Sequence, residues 1–438
     1  MNSTHSSHHI KLGLIGFGTI GTGVVKLLSQ TSDKLKSHGI ILELIKIADL
    51  DISTPRDCDI PHGLLTQNAH EILDDPEIQI VIELIGGIEP AQSFILKAIH
   101  NGKNVVTANK ALIAHAFNEI FSSAQNNNVD VGFEASVGGG IPIIRVITEG
   151  LVANQIHSIY AIINGTANYI LTKMHEENKT FPDTLAEAQK LGYAEADPSY
   201  DISGLDSAHK LSILSSLAFG MRVNLDDIYT EGIDQITPLD LVFAAELGYK
   251  IKLLAIATQV GNELEVRVQP TMIDCTSLLA QVDGVYNAIY LLGNAGPTLY
   301  YGQGAGQIPT ASAVLSDIVD IARNICTQGG KHLRPYLYPL PNLRGLVLKD
   351  ISNIRSAYYL RFTAIDKPGV LSSISGILGK NNISISSVIQ KGREEKKAVP
   401  IIMMTHEVRE IDLKKALDEI DKLAFVMDKT LSVRVENF

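Results

Sequence analysis

The feature that most constrains this chain is a six-residue turn. Gly16-Phe17-Gly18-Thr19-Ile20-Gly21 fits G-x-G-x-x-G. It directly follows the apolar run Ile10–Ile15 and opens a segment with Ile20, Val24, Leu27 and Leu28 at helical spacing. In that context each glycine has a reason. Gly16 permits the tight turn, Gly18 lets the backbone approach a pyrophosphate, and Gly21 allows close helix–strand packing. The helix N-terminus offers free N–H groups and a positive dipole end to phosphates. Phe17, Thr19 and Ile20 therefore join the glycines as candidate dinucleotide-binding positions. Further strands are expected at Ile40–Ala48, Ile80–Ile85, Asn104–Thr107 and Val129–Glu134, alternating with helices. That alternation predicts an α/β Rossmann-like parallel sheet.

The end of the second strand bears on the choice of dinucleotide. Asp49 there can accept hydrogen bonds from a ribose 2′-OH and would repel a 2′-phosphate. It lies further from the glycine turn than the usual ~20 residues, because a polar insert, Thr31–Gly39, intervenes. Arg56 is close enough in sequence to receive a 2′-phosphate instead, so NAD and NADP both stay open. A second glycine cluster, Gly302-Gln303-Gly304-Ala305-Gly306, leads into a helix with Val314, Ile318, Ile321 and Ile325. It is either a ligand approach at Gly304 and Gly306 or a flexible turn.

Composition excludes several classes. With 37 basic against 48 acidic side chains and a net charge of −11, there is no global footprint for nucleic acid. The three cysteines, Cys58, Cys275 and Cys326, form no CxxC pair, which favours a reducing compartment over a disulfide framework or a thiolate zinc site. No apolar run approaches the ~20 residues of a membrane span. The polar, His-rich opening is expected to be a disordered arm rather than a signal peptide. At roughly 150 residues per domain, 438 residues suggest about three domains. The expected parts are an arm over residues 1–9, a dinucleotide-binding domain over 10–134 completed by a helix at 307–328, and an α+β domain over 135–306. A basic, proline-bearing linker over 331–356 then leads to a small unit over 357–438. That unit reads βαββαβ, a ferredoxin-like plan.

Charges in unexpected places mark candidate chemistry. Lys110 follows Thr107-Ala108-Asn109 and opens the helix carrying Ile113 and Phe117. A cation there opposes the helix dipole at a cost of a few tenths to ~1 kcal/mol. It also sits at the C-terminal end of a strand, where open α/β sheets bind ligands. Asp206 and Lys210 continue the buried stripe Ile213, Leu214 and Leu217 of the helix Leu205–Phe219. A surface i,i+4 pair contributes only ~0.2–0.5 kcal/mol and faces water. A buried pair costs desolvation, and is kept either for chemistry or to fix a unique packing. A desolvated lysine is a usable proton donor and acceptor near neutrality. Upstream, Glu195, Asp197 and Asp201 share one loop that could hold an ammonium group or merely cap turns. Glu134 to Pro142 includes Gly138-Gly139-Gly140. This stretch is either a carbonyl site for a hard monovalent cation or a hinge.

Together these residues resemble homoserine dehydrogenase, from about Ile10 to Gln328. The resemblance rests on an ordered set of motifs. They are the glycine turn, Thr107–Lys110, Phe133-Glu134-Ala135 with Val137 and Gly138–Pro142, Asn164-Gly165-Thr166-Ala167-Asn168-Tyr169-Ile170-Leu171, Gly192–Pro198, and Asp201–Asp206 with Lys210. The last unit looks like an ACT domain, with Asp366-Lys367-Pro368-Gly369-Val370-Leu371 matching the effector loop. The chain is expected to be monofunctional, without the aspartokinase that some relatives carry. The resemblance implies reversible reduction of L-aspartate 4-semialdehyde to L-homoserine with NAD or NADP, on the route to threonine, methionine and isoleucine. By motif, Lys210 is the proton donor, Lys110 lies near the reacting centre and the dinucleotide, and Asp206 orients substrate and Lys210. Glu195 would bind the substrate ammonium, Gly192 would lie against the substrate and Asp201 beside it. Glu134, Val137, Gly139 and Ile141 match a sodium site. Threonine is the implied effector, at Asp366, Pro368, Gly369 and Val370. A cytoplasmic homodimer or homotetramer is expected. The rival readings are a catalytically inactive amino-acid sensor and another ACT-bearing dehydrogenase. The first would not need both lysines and both acids. The second would need a catalytic His–carboxylate pair, and none is evident.

Overall fold

The computed structural model describes residues 8–61, 63–327, 345–391 and 398–438. The chain divides into two compact units that interleave along the sequence. One gathers the chain up to His157 with His209–Asp226 and Asn287–Gly345; the other gathers Ser158–Ala208, Asp227–Tyr286 and Leu346–Phe438.

The first unit opens with β1 (His8–Ile15), α1 (Thr19–Ser37), β2 (Ile40–Ala48), β3 (Leu65–Thr66), α2 (His70–Leu73) and β4 (Ile80–Glu83). It continues with α3 (Ala91–His100), β5 (Asn104–Thr107), α4 (Lys110–Asn127), β6 (Val131–Gly132) and α5 (Ile143–Arg145). The six strands form one parallel sheet in the order β3-β2-β1-β4-β5-β6. The order reverses between β1 and β4, and such a switch point is where open α/β sheets take dinucleotides. Leu12, Leu14, Ile80, Ile82 and Val106 are wholly buried, which is why these strands read as near-continuous apolar runs.

Next along the chain come β7 (Ile156–Ile162), α6 (Gly165–Glu177), α7 (Phe181–Lys190), α8 (Ser199–Ile202), α9 (Leu205–Phe219), β8 (Tyr229–Thr230) and α10 (Pro238–Glu246). Then follow β9 (Tyr249–Val260), β10 (Glu263–Asp274), β11 (Tyr286–Gly293), β12 (Gly296–Gln303) and α11 (Gln307–Cys326). Helix α11 belongs to the first unit and packs on α1: a Cβ on Gly23 would lie 2.8 Å from the Gln307 carbonyl oxygen.

The tail holds β13 (Val347–Leu348), β14 (Arg355–Ile365), α12 (Val370–Lys380), β15 (Ile385–Gln390), β16 (Ala398–Thr405), β17 (Val408–Arg409), α13 (Glu410–Ile420) and β18 (Leu431–Glu436). Its four long strands run antiparallel in the order β18-β14-β16-β15, as the βαββαβ plan requires. Leu360, Phe362, Ile374, Leu378, Met403, Leu413 and Ile420 share its core. This sheet does not stand apart. Strand β18 pairs in parallel with β10, Thr271 opposite Arg434, so the sheet of the second unit runs β7-β9-β10-β18-β14-β16-β15.

Three expectations need correction. His8 and His9 already pair with Ile40 and Ile41 as the start of β1, so the arm ends before them; residues 1–7 lie outside the described residues. The strand expected over Val129–Glu134 is only Val131–Gly132. Glu134 curls into a 3-10 turn instead. Its carboxylate accepts the N–H groups of Ile144 (2.8 Å) and Arg145 (2.9 Å), and its own N–H goes to Asp317 (2.8 Å). Of the linker over 331–356, residues 331–344 lie outside the described residues. The remainder is structured: β13 pairs with β10, and Lys349 binds Glu265 (3.0 Å) and Glu263 (3.5 Å).

Candidate active site

The glycine turn is built as its spacing demands. Gly16 has φ +100°, and a Cβ there would lie 2.7 Å from the Leu84 carbonyl carbon. A Cβ on Gly21 would strike the Gly16 carbonyl oxygen, whereas Gly18 faces open space for 4 Å. Gly18 caps α1 without a side chain, so the first N–H groups of the helix have no intrahelical acceptor. Asp49 and Arg56 clamp the turn from two sides. The Asp49 carboxylate accepts the N–H groups of Phe17 (2.5 Å) and Asp51 (2.8 Å). Arg56 Nε donates to the Phe17 carbonyl (2.8 Å), its Nη1 to Thr54 (2.8 Å) and its Nη2 to the Asp51 carbonyl (3.1 Å).

The second glycine cluster is closely packed. A Cβ on Gly304 would land on the Asn287 amide, and one on Gly139 would lie 2.5 Å from the Gly304 carbonyl carbon. Asn287 is 1% exposed, and neither atom of its amide has a hydrogen-bond partner among the described residues. Gly306, at φ +126°, is the N-cap of α11.

At the switch point a buried carboxylate organises the loops. Glu83 is fully buried at the end of β4. It accepts the Thr107 hydroxyl (2.6 Å) and the N–H groups of Ile85 (2.8 Å) and Gly86 (3.2 Å). The Thr107 hydroxyl accepts the Asn109 N–H (3.0 Å), and Asn109 caps α4 by accepting from Leu112 (3.1 Å). Lys110 is thereby fixed as the first residue of α4. Burial pushes the Glu83 carboxyl above its ordinary 4.5, against these hydrogen bonds. A carboxyl raised in the folded state adds stability that is fully present below about pH 4.5 and is lost as pH rises through the folded value. Glu83→Gln is expected to flatten that part of the decline of Tm with pH. An unchanged slope of Tm against pH would overturn this account.

Lys210 is half-buried on α9, one turn after the buried Asp206. The first unit also ties α9 to α4, the helix of Lys110. Arg222, just beyond α9, stacks its guanidinium 5.5 Å from the Phe117 ring and donates to the Ala114 carbonyl.

In the second unit the acids are organised by Asn164. Its Oδ1 caps α6 by accepting from Ala167 (2.7 Å), while its Nδ2 donates to both Asp201 (2.7 Å) and Asp206 (2.9 Å). One neutral amide thereby sets the two carboxylates side by side. Glu195 is exposed on the loop after α7, and Gly192 begins that loop at φ +75°. The loop is pinned by Thr166 Oγ1 to the Tyr193 carbonyl (2.7 Å) and by Gln189 Nε2 to the Glu195 carbonyl (3.1 Å). Asp197 caps the turn at Ser199 (3.1 Å).

The remaining candidates are distributed as follows. Gly138 and Gly139 take φ +78° and +58°, turning the chain between Val137 and Ile141. Among the described residues no group of three or more His, Cys, Asp or Glu gathers as a metal site. A cation here would rest on backbone carbonyl oxygens, which are hard donors. Burial, then the nearby Asp317 charge, pushes the Glu134 carboxyl up to about 7. In the tail, Gly369 at φ +91° is the N-cap of α12, and Pro368 and Gly369 are exposed. Asp366 is half-buried, and the Val370 side chain is buried in the core. Glu83, Asn287 and the bridging role of Asn164 escaped sequence reasoning. Asn164 alone carried a signal, as the first residue of a matched motif.

The chain matches the family described as homoserine dehydrogenase over residues 142–319, its NAD-binding domain over 16–134, and the ACT domain over 358–425. A homoserine dehydrogenase of Pseudomonas aeruginosa is 45% identical over 431 residues, covering 98% of this chain and 99% of its own. The crystal structure of a homoserine dehydrogenase from Thiobacillus denitrificans superposes with a TM-score of 0.90 at 44% identity, covering 98% of this chain and 99% of that one. A hyperthermophilic archaeal homoserine dehydrogenase in complex with NADPH superposes at 0.63 and 28% identity, covering 72% of this chain and 98% of that one. With a Rossmann-like sheet, the matched motifs and an ACT unit in one chain, this protein belongs to the homoserine dehydrogenase family of NAD(P)-dependent oxidoreductases.

Proposed function

We propose that Lys210 is the proton donor and acceptor of the reaction, with Lys110 beside the reacting centre. Asp206 orients the substrate and Lys210, Glu195 binds the substrate ammonium, and Gly192 and Asp201 lie against the substrate. The observation that carries this reading is the Asn164 amide, which gathers Asp201 and Asp206 one helical turn before Lys210. The nicotinamide dinucleotide, when bound, accepts a hydride from the alcohol carbon of homoserine or returns it to the aldehyde carbon. Residues Gly16–Gly21, Asp49, Lys110, Gly304 and Gly306 would hold it. As hydride reaches the aldehyde, negative charge develops on its oxygen. Lys210 stabilises that charge and then supplies the proton; in the reverse direction it takes the proton from the alcohol.

NAD is the favoured dinucleotide in this reading. Asp49 and Asp51 put two acids at the ribose end, and Arg56 already donates to Phe17, Thr54 and Asp51. Threonine acts as an inhibitor at Asp366, Pro368, Gly369 and Val370, supported by the ACT match and the exposed N-terminus of α12. Glu134, Val137, Gly139 and Ile141 would hold a sodium ion through their carbonyls. A homodimer or homotetramer completes the proposal, in the cytoplasm, a reducing compartment in keeping with three free cysteines.

The test is homoserine-dependent reduction of NAD and of NADP by the purified chain, with and without threonine. Turnover is expected with NAD ahead of NADP. Threonine should lower the rate, and Asp366→Ala should remove that inhibition while sparing the uninhibited rate. Absence of homoserine-dependent reduction with either dinucleotide would overturn the catalytic assignment and favour the amino-acid sensor.

A further inference from the structure

Arg434, on the last strand, is 3% exposed and binds two carboxylates at once. Its Nε and Nη2 form a fork with Glu410 of α13 (3.0 and 2.7 Å), and its Nη1 donates to Glu231 (3.0 Å). The Tyr358 hydroxyl also donates to Glu410 (2.5 Å). The rings of Tyr229 and Tyr358 flank the guanidinium at 5.0 and 5.8 Å. Burial alone would push the Glu410 carboxyl up; the Arg434 charge and hydrogen bonds, together with Tyr358 and Lys414, hold the group below its ordinary range. Glu410 and Arg434 belong to the tail. Glu231 does not: it follows β8.

From Glu231 the contacts lead directly to the acids proposed to meet substrate. The Glu231 N–H donates to the Val268 carbonyl (2.8 Å) and the Ile233 N–H to the Ile202 carbonyl (3.0 Å). A Cβ on Gly232 would lie 2.6 Å from the Ile202 carbonyl oxygen and 3.1 Å from Ser203 Cα. Gly204 holds φ +86°, and a Cβ there would lie 3.0 Å from Val268 and 3.1 Å from the Thr230 methyl. The segment around Glu231 is thus laid against residues 202–204. That stretch joins Asp201 to Asp206, the pair gathered by Asn164. Close-packed backbone of this kind transmits a displacement, because it has no slack to absorb one.

We infer that Arg434 is a positioning residue for the dehydrogenase reaction: through Glu231 it fixes the segment that sets Asp201 and Asp206. This rests on the reading that those acids bind and orient the substrate. An ion pair as buried as Arg434–Glu410 adds little stability compared with apolar packing, and its best-attested use is to fix one arrangement; Glu231, a third exposed, is its outer arm. Here the arrangement fixed is that of a catalytic segment, and one end of the clamp belongs to the ACT unit.

The test is Glu231→Gln in the full chain. It leaves the Arg434–Glu410 fork intact and removes the charge at the link. The KM for homoserine is expected to rise about tenfold, in the range of couplings through packed networks. The KM for the dinucleotide and the Tm should stay near their parent values. A double-mutant cycle with Arg434→Met should be non-additive for homoserine KM. If Glu231→Gln does not fold, Arg434→Lys keeps the charge but loses the fork and is read in the same way. An unchanged homoserine KM, or equal changes for both substrates with a lowered Tm, would overturn the inference. Asp206→Asn separates the two levels. If it abolishes turnover while Glu231→Gln is silent, the inference fails and the site reading stands. If Asp206→Asn is itself silent, the site reading fails, and the inference with it.

Discussion

Lys210→Ala is expected to lower kcat for homoserine oxidation by about 10²–10⁴-fold, the range that a positioned acid or base contributes. The KM for the dinucleotide should move little, because the glycine turn and its Asp49–Arg56 clamp lie on β1, β2 and their loops. The size of the effect follows from location. Lys210 is half-buried and stands one turn from Asp206, so no bulk-exposed group can replace it at the same place. Lys110→Ala is expected to act in the same direction. Lys110 sits where the Glu83–Thr107–Asn109 network has fixed the start of α4. A small alkylamine should restore part of the Lys210→Ala activity if the missing function is a proton carrier. Turnover within tenfold of the parent in both variants would reject the assignment.

Removal of residues 346–438 is expected to yield insoluble protein, or protein with a Tm about 10 °C or more below the parent, consistent with a loss of several kcal/mol. A freely tethered regulatory domain would predict no such effect. The deletion would strip β13 and β18 from β10, leaving most of one edge of a twelve-residue, largely buried strand unpaired, with β8 still held at Arg267 and Val268. Such edges drive aggregation. It would also remove Arg361 and Tyr359 from Asp240, and the Phe438 ring that stacks 4.2 Å from Tyr160. For this reason threonine sensitivity is better tested by Asp366→Ala than by deletion. A soluble, fully active truncated chain with the parent's Tm would show that the pairing is dispensable.

Much of the fold was legible because local pattern and tertiary role agree. Helix α9 runs Leu205–Phe219 as its stripe predicted, and the buried Asp206 lies on that stripe. The tail's βαββαβ order is present in full. The failures have one physical origin, partners distant in sequence. Glu134 leaves the strand because Asp317, 183 residues away, captures its N–H. Asn164 sat inside a recognised motif, yet its role depends on Asp201 and Asp206, 37 and 42 residues on. Strand β10 reads as any buried strand, and nothing in its pattern names β18 as its neighbour. The roles given to Asp49 and Arg56 were framed as rivals, whereas both grip Phe17.

The pairing of β10 with β18 also sets a clock. Arg267 on β10 meets Glu436, 169 residues later in the chain. At about 5–20 residues per second of synthesis, β10 waits roughly 10–30 s for its partner strand to be made. For that interval every newly made chain carries an open sheet edge. The yield of folded enzyme in a cell is therefore governed by what shields that edge during translation, as much as by the stability of the finished protein.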